Sequence, residues 1–224
     1  PKALSVNDII AEIQYGNTNG DFTFKANEKG RLEGVVGEDK VSLVIDDTLG
    51  TEVVTGSAYD DAIGDGKHTA NVRDDVYAGS IKVTGYELTG DDASNYTLEN
   101  SAVGGIRVTK ADLTININGA TTTYGTALDM TTHGYTLDGV VNNDDEEALK
   151  SDIDLAKGSY VTTAAYTGKA GTHNNVLGFE KAEDVKELDV LNNYEVTIVN
   201  GTVVVNPKAL SVNDIIAEIQ YGNT

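Results

Sequence analysis

The apolar residues of the chain recur at every second position in several short segments, and this alternation predicts β-strands. In the segment 113–118, Leu113, Ile115 and Ile117 fall on one face of an extended strand, with polar residues between them. Glycine and Asn/Asp pairs between such segments are typical of turns. The pattern therefore predicts a mainly β chain. Further segments with the two-residue period are Ile81 with Val83, Tyr96 with Leu98, Ile106 with Val108, and Tyr194 with Val196 and Ile198.

Two short segments have the pattern of a helix. Residues 144–150 begin with four acidic residues, and the helix dipole favours negative charge at a helix start. Residues 182–191 place Val185, Leu188 and Leu191 three residues apart, as on one helix face. Either segment could instead be a charged loop, so at most short helices are expected.

A long repeat organises the chain, because residues 207–224 repeat residues 1–18 letter for letter at an offset of 206. The chain is therefore one complete period followed by the opening of the next. A fixed period of identical sequence is typical of a tandem array. An engineered duplication, made to complete a sheet or to permute a domain, is the alternative.

A weaker repeat lies inside the period, because landmarks of its first half return in the same order in its second half. The order predicts two related modules of ordinary domain size, 1–109 and 110–206, followed by 207–224 as the first strand of the next repeat. The matched stretches are 4–16 with 113–125, 32–36 with 137–141, Asn95-Tyr96 with Asn193-Tyr194, and 105–108 with 201–205.

The negative charge of the chain limits the classes of partner that it can bind. With 36 acidic and 16 basic residues the formal net charge is −20, whereas nucleic-acid binding depends on cationic contacts with phosphates. Nucleic acid and anionic membranes are therefore not expected partners. No apolar run approaches the about 20 residues of a membrane-spanning helix, so this segment is not expected to insert into a membrane. The absence of cysteine excludes disulfides and thiolate metal sites, and fits either the cytosol or a cysteine-free bacterial surface protein.

No residue set supports catalysis. His68, His133 and His173 are not spaced as zinc ligands, and no serine lies in a nucleophile elbow. The glycines are spaced as turns and not as phosphate-binding loops. Paired carboxylates for glycoside hydrolysis are disfavoured because tryptophan, which stacks on sugars, is absent. The sequence therefore predicts a protein that is not an enzyme and has no cofactor.

Calcium is the one metal for which the composition supplies candidate ligands. Calcium takes six to eight oxygen ligands, which loops rich in Asp and Asn can supply. Neither candidate loop has the spacing of an EF-hand or of the calcium-binding nonapeptide repeats. Turn capping by Asp side chains is the alternative interpretation. The candidate residues are Asp60, Asp61 and Asp65 in one loop and Asp91, Asp92 and Asn95 in the other.

Two Tyr-Gly pairs, Tyr15-Gly16 and Tyr124-Gly125, occupy matched places in the two halves. They could form an aromatic surface for a ligand. The structural interpretation is favoured: the tyrosine ends a strand and packs its ring at the rim of the core, while the glycine turns the chain.

Several stretches of the second half resemble the YGX-type MBG domains that occur in tandem in large bacterial surface adhesins, and the first half is similar to the related YDG and MBG group. The resemblance implies β-grasp-like modules in an exported, haemagglutinin-like adhesin at the bacterial cell surface, and it brings no catalytic residues. The stretches that carry it are 113–115, Thr123-Tyr124-Gly125, 137–144, 170–173 and 193–205 in the second half, and 88–98 and 105–111 in the first.

The joins between modules contain no flexible spacer, because closing and opening strands follow each other within 108–113 and 205–210. Pro207 further stiffens the second join. These features favour an extracellular stalk module whose partners are neighbouring repeats of the same chain. A repeat that binds host glycans or glycoproteins with avidity and a calcium-rigidified extender are the alternatives. Lys2 and Lys110 are the lysines that could form isopeptide crosslinks in such a stalk.

Overall fold

A computed structural model describes residues 1–18, 20–99, 101–131, 133–216 and 221–222, apart from the side chains of 46–48. Strands account for 46% of residues and helices for 13%, which confirms the prediction of a mainly β chain. The chain divides into two compact units whose segments interleave along the sequence. Unit 1 comprises Pro1–Ile115, Leu137–Ala156 and Glu183–Thr197, and unit 2 comprises Asn116–Thr136, Lys157–Ala182 and Ile198–Thr224. The modules 1–109 and 110–206 stay a prediction.

The principal sheet of unit 1 has the strand order β2-β1-β6-β4-β3, and a short strand, β5, pairs with the start of β1. β1 runs antiparallel to β2 and parallel to both β5 and β6, whereas β4 is antiparallel to its two neighbours. The strands are β1 (Lys2–Gln14), β2 (Thr23–Glu33), β3 (Ser42–Val53), β4 (Tyr77–Thr89), β5 (Tyr96–Leu98) and β6 (Ser101–Thr109).

The parallel pairing of β1 places the start of β1 and the end of β6 at opposite ends of the sheet. Lys2 lies opposite Tyr96 of β5, and Gln14 lies opposite Thr109, the last residue of β6. With about 3.3 Å per residue, β1 spans roughly 40 Å. The chain therefore enters this sheet at one end and leaves it at the other.

The buried face of β1 shifts phase once along the strand. Leu4 and Val6 are buried, and the next buried residue is Ile9, three positions later. Between them Asp8 has a φ of +58°, a left-handed conformation that inserts an irregularity and returns the following apolar residues to the core face. In β4 and β6, the alternating apolar residues Ile81 with Val83 and Ile106 with Val108 are all buried, as their pattern predicts.

A short helix, α1 (Ala58–Ala62), completes the core of unit 1. Ser57 caps its start, because the Ser57 side chain accepts a hydrogen bond from Asp60 N. Tyr59 of this helix is fully buried, and its ring packs edge-on against that of Tyr77 at 5.4 Å between centroids. Burial raises the pKa of Tyr59 to about 12, so its hydroxyl stays neutral in the core.

The later strands form a four-stranded sheet of order β10-β11-β13-β8 and a three-stranded sheet of order β12-β7-β9. Leu113, Ile115 and Ile117 of β7 are all buried, which confirms the face predicted from their alternation. β13 runs parallel to β8, from Val203 opposite Ala120 to Asn206 opposite Thr123. The strands are β7 (Ala111–Ile117), β8 (Ala120–Thr123), β9 (Tyr135–Asp138), β10 (Tyr160–Thr162), β11 (Gly171–Phe179), β12 (Tyr194–Val199) and β13 (Gly201–Asn206).

Both predicted helical segments contain helix, with different bounds. α2 (Glu146–Ala156) begins at the acidic run and continues past residue 150, because Leu149 and Ile153 extend its buried face. α3 (Ala182–Lys186) covers only the start of the second segment. Leu188 is extended, and a separate 3₁₀ turn follows at Asp189–Leu191. The longest described helix has 11 residues, and none of the described helices could cross a membrane.

The terminal copy of the opening sequence differs from β1 in environment. Residues 207–216 lie outside any strand. Leu210, Val212 and Ile215 are 92%, 82% and 82% exposed, whereas their identical counterparts in β1 (Leu4, Val6 and Ile9) are 4–6% exposed. The assignment of 207–224 to a following repeat stays a prediction, and residues 217–220, 223 and 224 lie outside the described residues.

Candidate functional site: the Asp144 cluster

The carboxylate of Asp144 collects hydrogen bonds from three side chains that are distant in sequence. Lys67 Nζ lies 2.5 Å from Oδ1, the Tyr194 hydroxyl lies 2.5 Å from Oδ2, and the Tyr15 hydroxyl lies 3.1 Å from both oxygens. The side chains of Asp144 and Lys67 are 16% and 30% exposed. We call these four residues, all of which belong to unit 1, the Asp144 cluster.

Three local features bring the cluster together. Tyr15 directly follows β1, and Gly16 then turns the chain with a φ of +84°. Tyr194 is the first residue of β12, and its ring packs edge-on against that of Tyr15 at 5.5 Å. Asp144 lies just before α2, after two residues in the left-handed region. Asparagine tolerates that region better than most residues do, which accounts for Asn142 and Asn143 at these positions.

The buried Asn142 side chain holds the loop of Lys67 beside Asp144. Its Oδ1 accepts hydrogen bonds from His68 N at 2.6 Å and Thr69 N at 3.1 Å, and its Nδ2 donates to Thr69 O at 3.1 Å. Lys67 Nζ also donates to Asn143 O at 3.1 Å. Because Asn142 is only 3% exposed, these bonds satisfy a side chain that would otherwise be costly to bury.

A second asparagine makes a similar bridge beside the cluster. Asn193 Oδ1 accepts a hydrogen bond from Val72 N at 2.8 Å, and Asn193 Nδ2 donates to Asn71 Oδ1 at 3.1 Å. The Asn193 carbonyl accepts from Ala111 N at 3.1 Å, at the start of β7. Residues 67–72 are thus tied by side chains to the turn at 142–144 and to the start of β12.

The environment of the cluster keeps its two tyrosine hydroxyls in the neutral form. Burial raises the pKa of Tyr194, and the hydrogen bond to the Asp144 carboxylate raises it further. Burial is also the main cause of the raised pKa of Tyr15, to which the charge of Asp144 adds. Both hydroxyls therefore remain donors at neutral pH, and the Lys67 ammonium neutralises the carboxylate. The cluster is a set of hydrogen bonds that fastens the loop of Lys67 to the turn at 142–144.

The matched half of the period contains the same core arrangement. The Tyr96 hydroxyl donates to Asp39 Oδ2 at 2.7 Å and accepts from Val36 N at 2.9 Å. In the same way, the Tyr194 hydroxyl donates to Asp144 Oδ2 and accepts a hydrogen bond from Val141 N at 3.2 Å. In each half the aspartate follows the valine by three residues.

Two matched glycines add to this correspondence. Gly34 and Gly139 have φ values of +99° and +100°, and they face Leu4 and Leu113 respectively. The two halves of the period therefore share hydrogen bonds and backbone conformation as well as sequence.

The calcium candidates lie in capped turns. Asp60 Oδ2 accepts a hydrogen bond from Gly56 N at 2.9 Å, and Asp61 and Asp65 are exposed. Asp92 Oδ2 accepts from Lys40 N at 2.9 Å, and Asp91 lies 3.8 Å from Lys40 Nζ. Asn95 ends the 3₁₀ turn Ala93–Asn95, where its N–H donates to Asp92 O. Across the described part of the chain, no three His, Asp or Glu side chains are grouped so as to hold a metal ion. Calcium binding stays the untested alternative to turn capping.

The Tyr-Gly pairs differ in environment although their glycines do not. Tyr15 is buried at 2% exposure, as the structural interpretation predicts, whereas Tyr124 is 52% exposed. Gly16 and Gly125 both turn the chain, with φ values of +84° and +82°. Lys2, one of the lysines considered for a crosslink, donates from Nζ to Gly34 O at 2.7 Å.

Sequence reasoning identified Tyr15, Val141 and Tyr194 as landmarks of the repeat but missed Asp144 and Lys67 as their partners. The recurrence of an aspartate three residues after the landmark valine, at Asp39 and Asp144, is the signal that could have indicated the carboxylate. No comparable signal in the sequence marks Lys67, whose Nζ donates to Asp144 Oδ1.

An ion-pair network on the sheet of unit 1 determines how stability responds to acid. Arg107 of β6 binds Glu28 through two hydrogen bonds of 2.8 and 2.9 Å and Glu12 through one of 3.0 Å, and Lys25 lies 2.8 Å from Glu12. The Arg107 guanidinium lowers the pKa of Glu28. At Glu12, burial alone would raise the pKa. The hydrogen bonds and charges of Lys25 and Arg107 outweigh this, so that the pKa of Glu12 is lowered as well.

Both carboxyls should therefore stabilise the folded state at neutral pH and cease to do so in acid. A carboxyl whose pKa falls on folding contributes stability above its unfolded value of 4.5, and loses it as the pH falls through the lower folded value. We expect Glu28→Gln to lower the free energy of unfolding by about 1 kcal/mol at pH 7 and to flatten its decline below about pH 5. Urea denaturation between pH 7 and 3 measures this. The exposed Glu38→Gln is the control, and an equal decline in both variants would contradict the assignment.

Comparison of the chain with protein-family models, with curated proteins and with solved structures found no match in any of the three. The similarity to MBG and YDG domains therefore stays a prediction.

Proposed function

We propose that the chain is a non-catalytic tandem-repeat segment of an extended stalk, exported to the bacterial cell surface as part of an adhesin. The observation that carries the proposal is the join around Lys110: β6 ends at Thr109, β7 begins at Ala111, and the Asp144 cluster fastens residues from both sides of it. A short, fastened join of this kind suits a stalk, in which each module must continue the chain in a fixed direction.

The strand pairings support two related β-grasp-like modules, 1–109 and 110–206. In the first, the opening strand β1 runs parallel to the closing strand β6. In the second, the short strand β8, which follows the opening strand β7, runs parallel to the closing strand β13. In the first module, the parallel opening and closing strands bring the chain in at one end of the sheet and out at the other, so that each copy of this module adds length.

The contacts at the join support a stiff connection. Tyr15 and Lys67 come from the first proposed module, Asp144 and Tyr194 from the second, and all four belong to unit 1. Lys110 is the single residue between the two strands at the join. Four partly or fully buried side chains bonded across such a short connection oppose hinging there.

Charge favours extension as well. Residues 207–224 carry a net −1 of the −20, so one period carries −19. Neighbouring periods of such charge repel one another over about a Debye length, ~8 Å at physiological salt. This repulsion disfavours folding an array back on itself, and it keeps separate arrays from associating.

Scattering from proteins of one, two and three periods tests the proposal. We expect the maximum dimension to rise by a constant increment per period, because the first module of each period alone adds up to the roughly 40 Å length of β1. A matched variant with a Gly-Ser spacer inserted after Lys110 should give a smaller and broader average dimension. Equal profiles with and without the spacer would contradict a stiff join. Specific binding of a single period to host glycans would instead favour an adhesive repeat.

A further inference from the structure

Lys67 and Asp144 bring an amine and a carboxyl group into contact in a partly enclosed place. Lys67 Nζ lies 2.5 Å from Asp144 Oδ1, and it also donates to Asn143 O at 3.1 Å, so two contacts fix the position of the nitrogen. The side chains of Lys67 and Asp144 are 30% and 16% exposed. An amine and a carboxyl group are the two reactants of an amide, and well-oriented reactants within one molecule reach effective molarities of about 10⁵–10⁸ M.

The other oxygen of the same carboxyl group faces two hydroxyl donors. The Tyr194 hydroxyl lies 2.5 Å from Asp144 Oδ2, and the Tyr15 hydroxyl lies 3.1 Å from that oxygen. Donors fixed around an oxygen that gains negative charge during acyl transfer stabilise the tetrahedral intermediate. Burial raises the pKa of both tyrosines, so their hydroxyls keep the protons that they donate. The amine and the oxyanion donors therefore approach different oxygens of one carboxyl group.

The pair formed by Lys25 and Glu12 shows how an ordinary ion pair of this chain differs. Lys25 Nζ lies 2.8 Å from Glu12, but the Lys25 side chain is 56% exposed. Arg107 contacts Glu12 as a second cation, at 3.0 Å. Burial alone would raise the pKa of Glu12, but Lys25 and Arg107 outweigh it and lower that pKa. A carboxylate that two cations keep ionised resists attack by an amine, so this pair serves as an internal control.

We propose that Lys67 and Asp144 condense into an isopeptide bond between Nζ and Cγ, with the loss of one water molecule. The Lys67 ammonium gives a proton to Oδ1, the free amine attacks Cγ, and Oδ2 takes the negative charge beside the two tyrosine hydroxyls. The Cγ–Oδ1 bond then breaks, and Oδ1 leaves as water with a second proton from the nitrogen. The products are a neutral amide and one water molecule, so no oxidant or other reactant is consumed.

The bond would close a loop between residues 77 positions apart. In the freshly folded chain the same side chains are joined by hydrogen bonds and an ion pair, and the amide then accumulates. A crosslink of this kind restricts the unfolded chain, so the crosslinked form should melt at a higher temperature. The inference does not depend on the stalk function, because it rests on the contacts of side chains that all belong to unit 1.

The intact mass of the full 224-residue chain tests the proposal. During incubation at neutral pH over days, we expect a growing species that is about 18 Da lighter than the sequence mass, the loss of one water. Proteolysis and fragmentation should then give a branched peptide that joins the segments of Lys67 and Asp144, and none that joins Lys25 to Glu12. A chain that keeps its full mass throughout the incubation would overturn the proposal.

Two matched variants identify the reacting groups. Lys67→Arg keeps the charge and the hydrogen bonds, but a guanidinium stays protonated and is no nucleophile, so this variant should keep its full mass. Tyr194→Phe removes one oxyanion donor and should slow the loss of water about 10²–10³-fold. A loss of water at the wild-type rate in Lys67→Arg would come from an aspartate that cyclises onto its own backbone, and would overturn the proposal. An unchanged rate in Tyr194→Phe would contradict the role given to the hydroxyls.

Discussion

Replacement of Asp144 by alanine is expected to lower the free energy of unfolding by about 3 kcal/mol. The change removes the acceptor of Lys67, Tyr15 and Tyr194 together, and a buried donor that loses its partner costs about 1–3 kcal/mol. Breaking a fully buried ion pair costs about 3–5 kcal/mol, but Lys67 is 30% exposed, which places the expected loss near the lower end. Urea denaturation followed by circular dichroism measures the change.

The matched control is Asp39→Ala, because Asp39 accepts a hydrogen bond from the Tyr96 hydroxyl as Asp144 does from the Tyr194 hydroxyl. We expect it to cost about 1 kcal/mol, the value of one hydrogen bond. Amide exchange adds a local measurement: His68 and Thr69, whose N–H groups bond to Asn142, should exchange faster in Asp144→Ala. Equal losses in the two variants, with unchanged exchange at these amides, would mean that the cluster does not fasten the loop of Lys67.

Substitution of Gly16 by alanine should destabilise the chain by about 3 kcal/mol for two separate reasons. The φ of +84° costs an alanine about 1–2 kcal/mol. The new Cβ would also lie 2.6 Å from Cβ and Cγ2 of Val141 and 3.0 Å from Asn142 N. Forcing an extra carbon into such a contact costs about 1–3 kcal/mol. Thermal and urea unfolding measure the sum.

Gly125→Ala separates the two causes. Gly125 has nearly the same φ, +82°, but no atom lies within 4 Å of the position a Cβ would take. We expect this variant to lose only the backbone contribution, about 1 kcal/mol. If Gly16→Ala were no more destabilising than Gly125→Ala, the close approach of Gly16 to Val141 would not contribute to stability.

The elements that sequence predicted well are those determined by local pattern. Leu113, Ile115 and Ile117 alternate, and they are buried on one face of a strand. The acidic run at 144–147 leads into a helix because its charge suits a helix start and Leu149 and Ile153 give it a buried face. By contrast, the left-handed Asp8 that shifts the buried face of β1 has no counterpart in the hydrophobic pattern.

The Asp144 cluster shows what local pattern cannot supply. The bonded pair Tyr15 and Asp144 is separated by 129 positions, so the meeting of these side chains depends on which strands pair and on how loops pack. The terminal repeat makes the same point more directly. Leu4 and Leu210 have identical sequence neighbours, yet one is buried and the other is exposed. Leu4 lies opposite Leu98 of β5 in a sheet, whereas Leu210 lies outside any strand.

The one-residue join between β6 and β7 constrains how a gene for such an array can evolve. A single codon inserted or deleted beside Lys110 would turn Leu113, Ile115 and Ile117 to the opposite face of β7, because side chains alternate along a strand. We therefore expect small length changes at the join to be poorly tolerated. In the proposed array, copy number would change instead in whole steps of 206 residues, by unequal recombination between identical stretches such as 1–18 and 207–224.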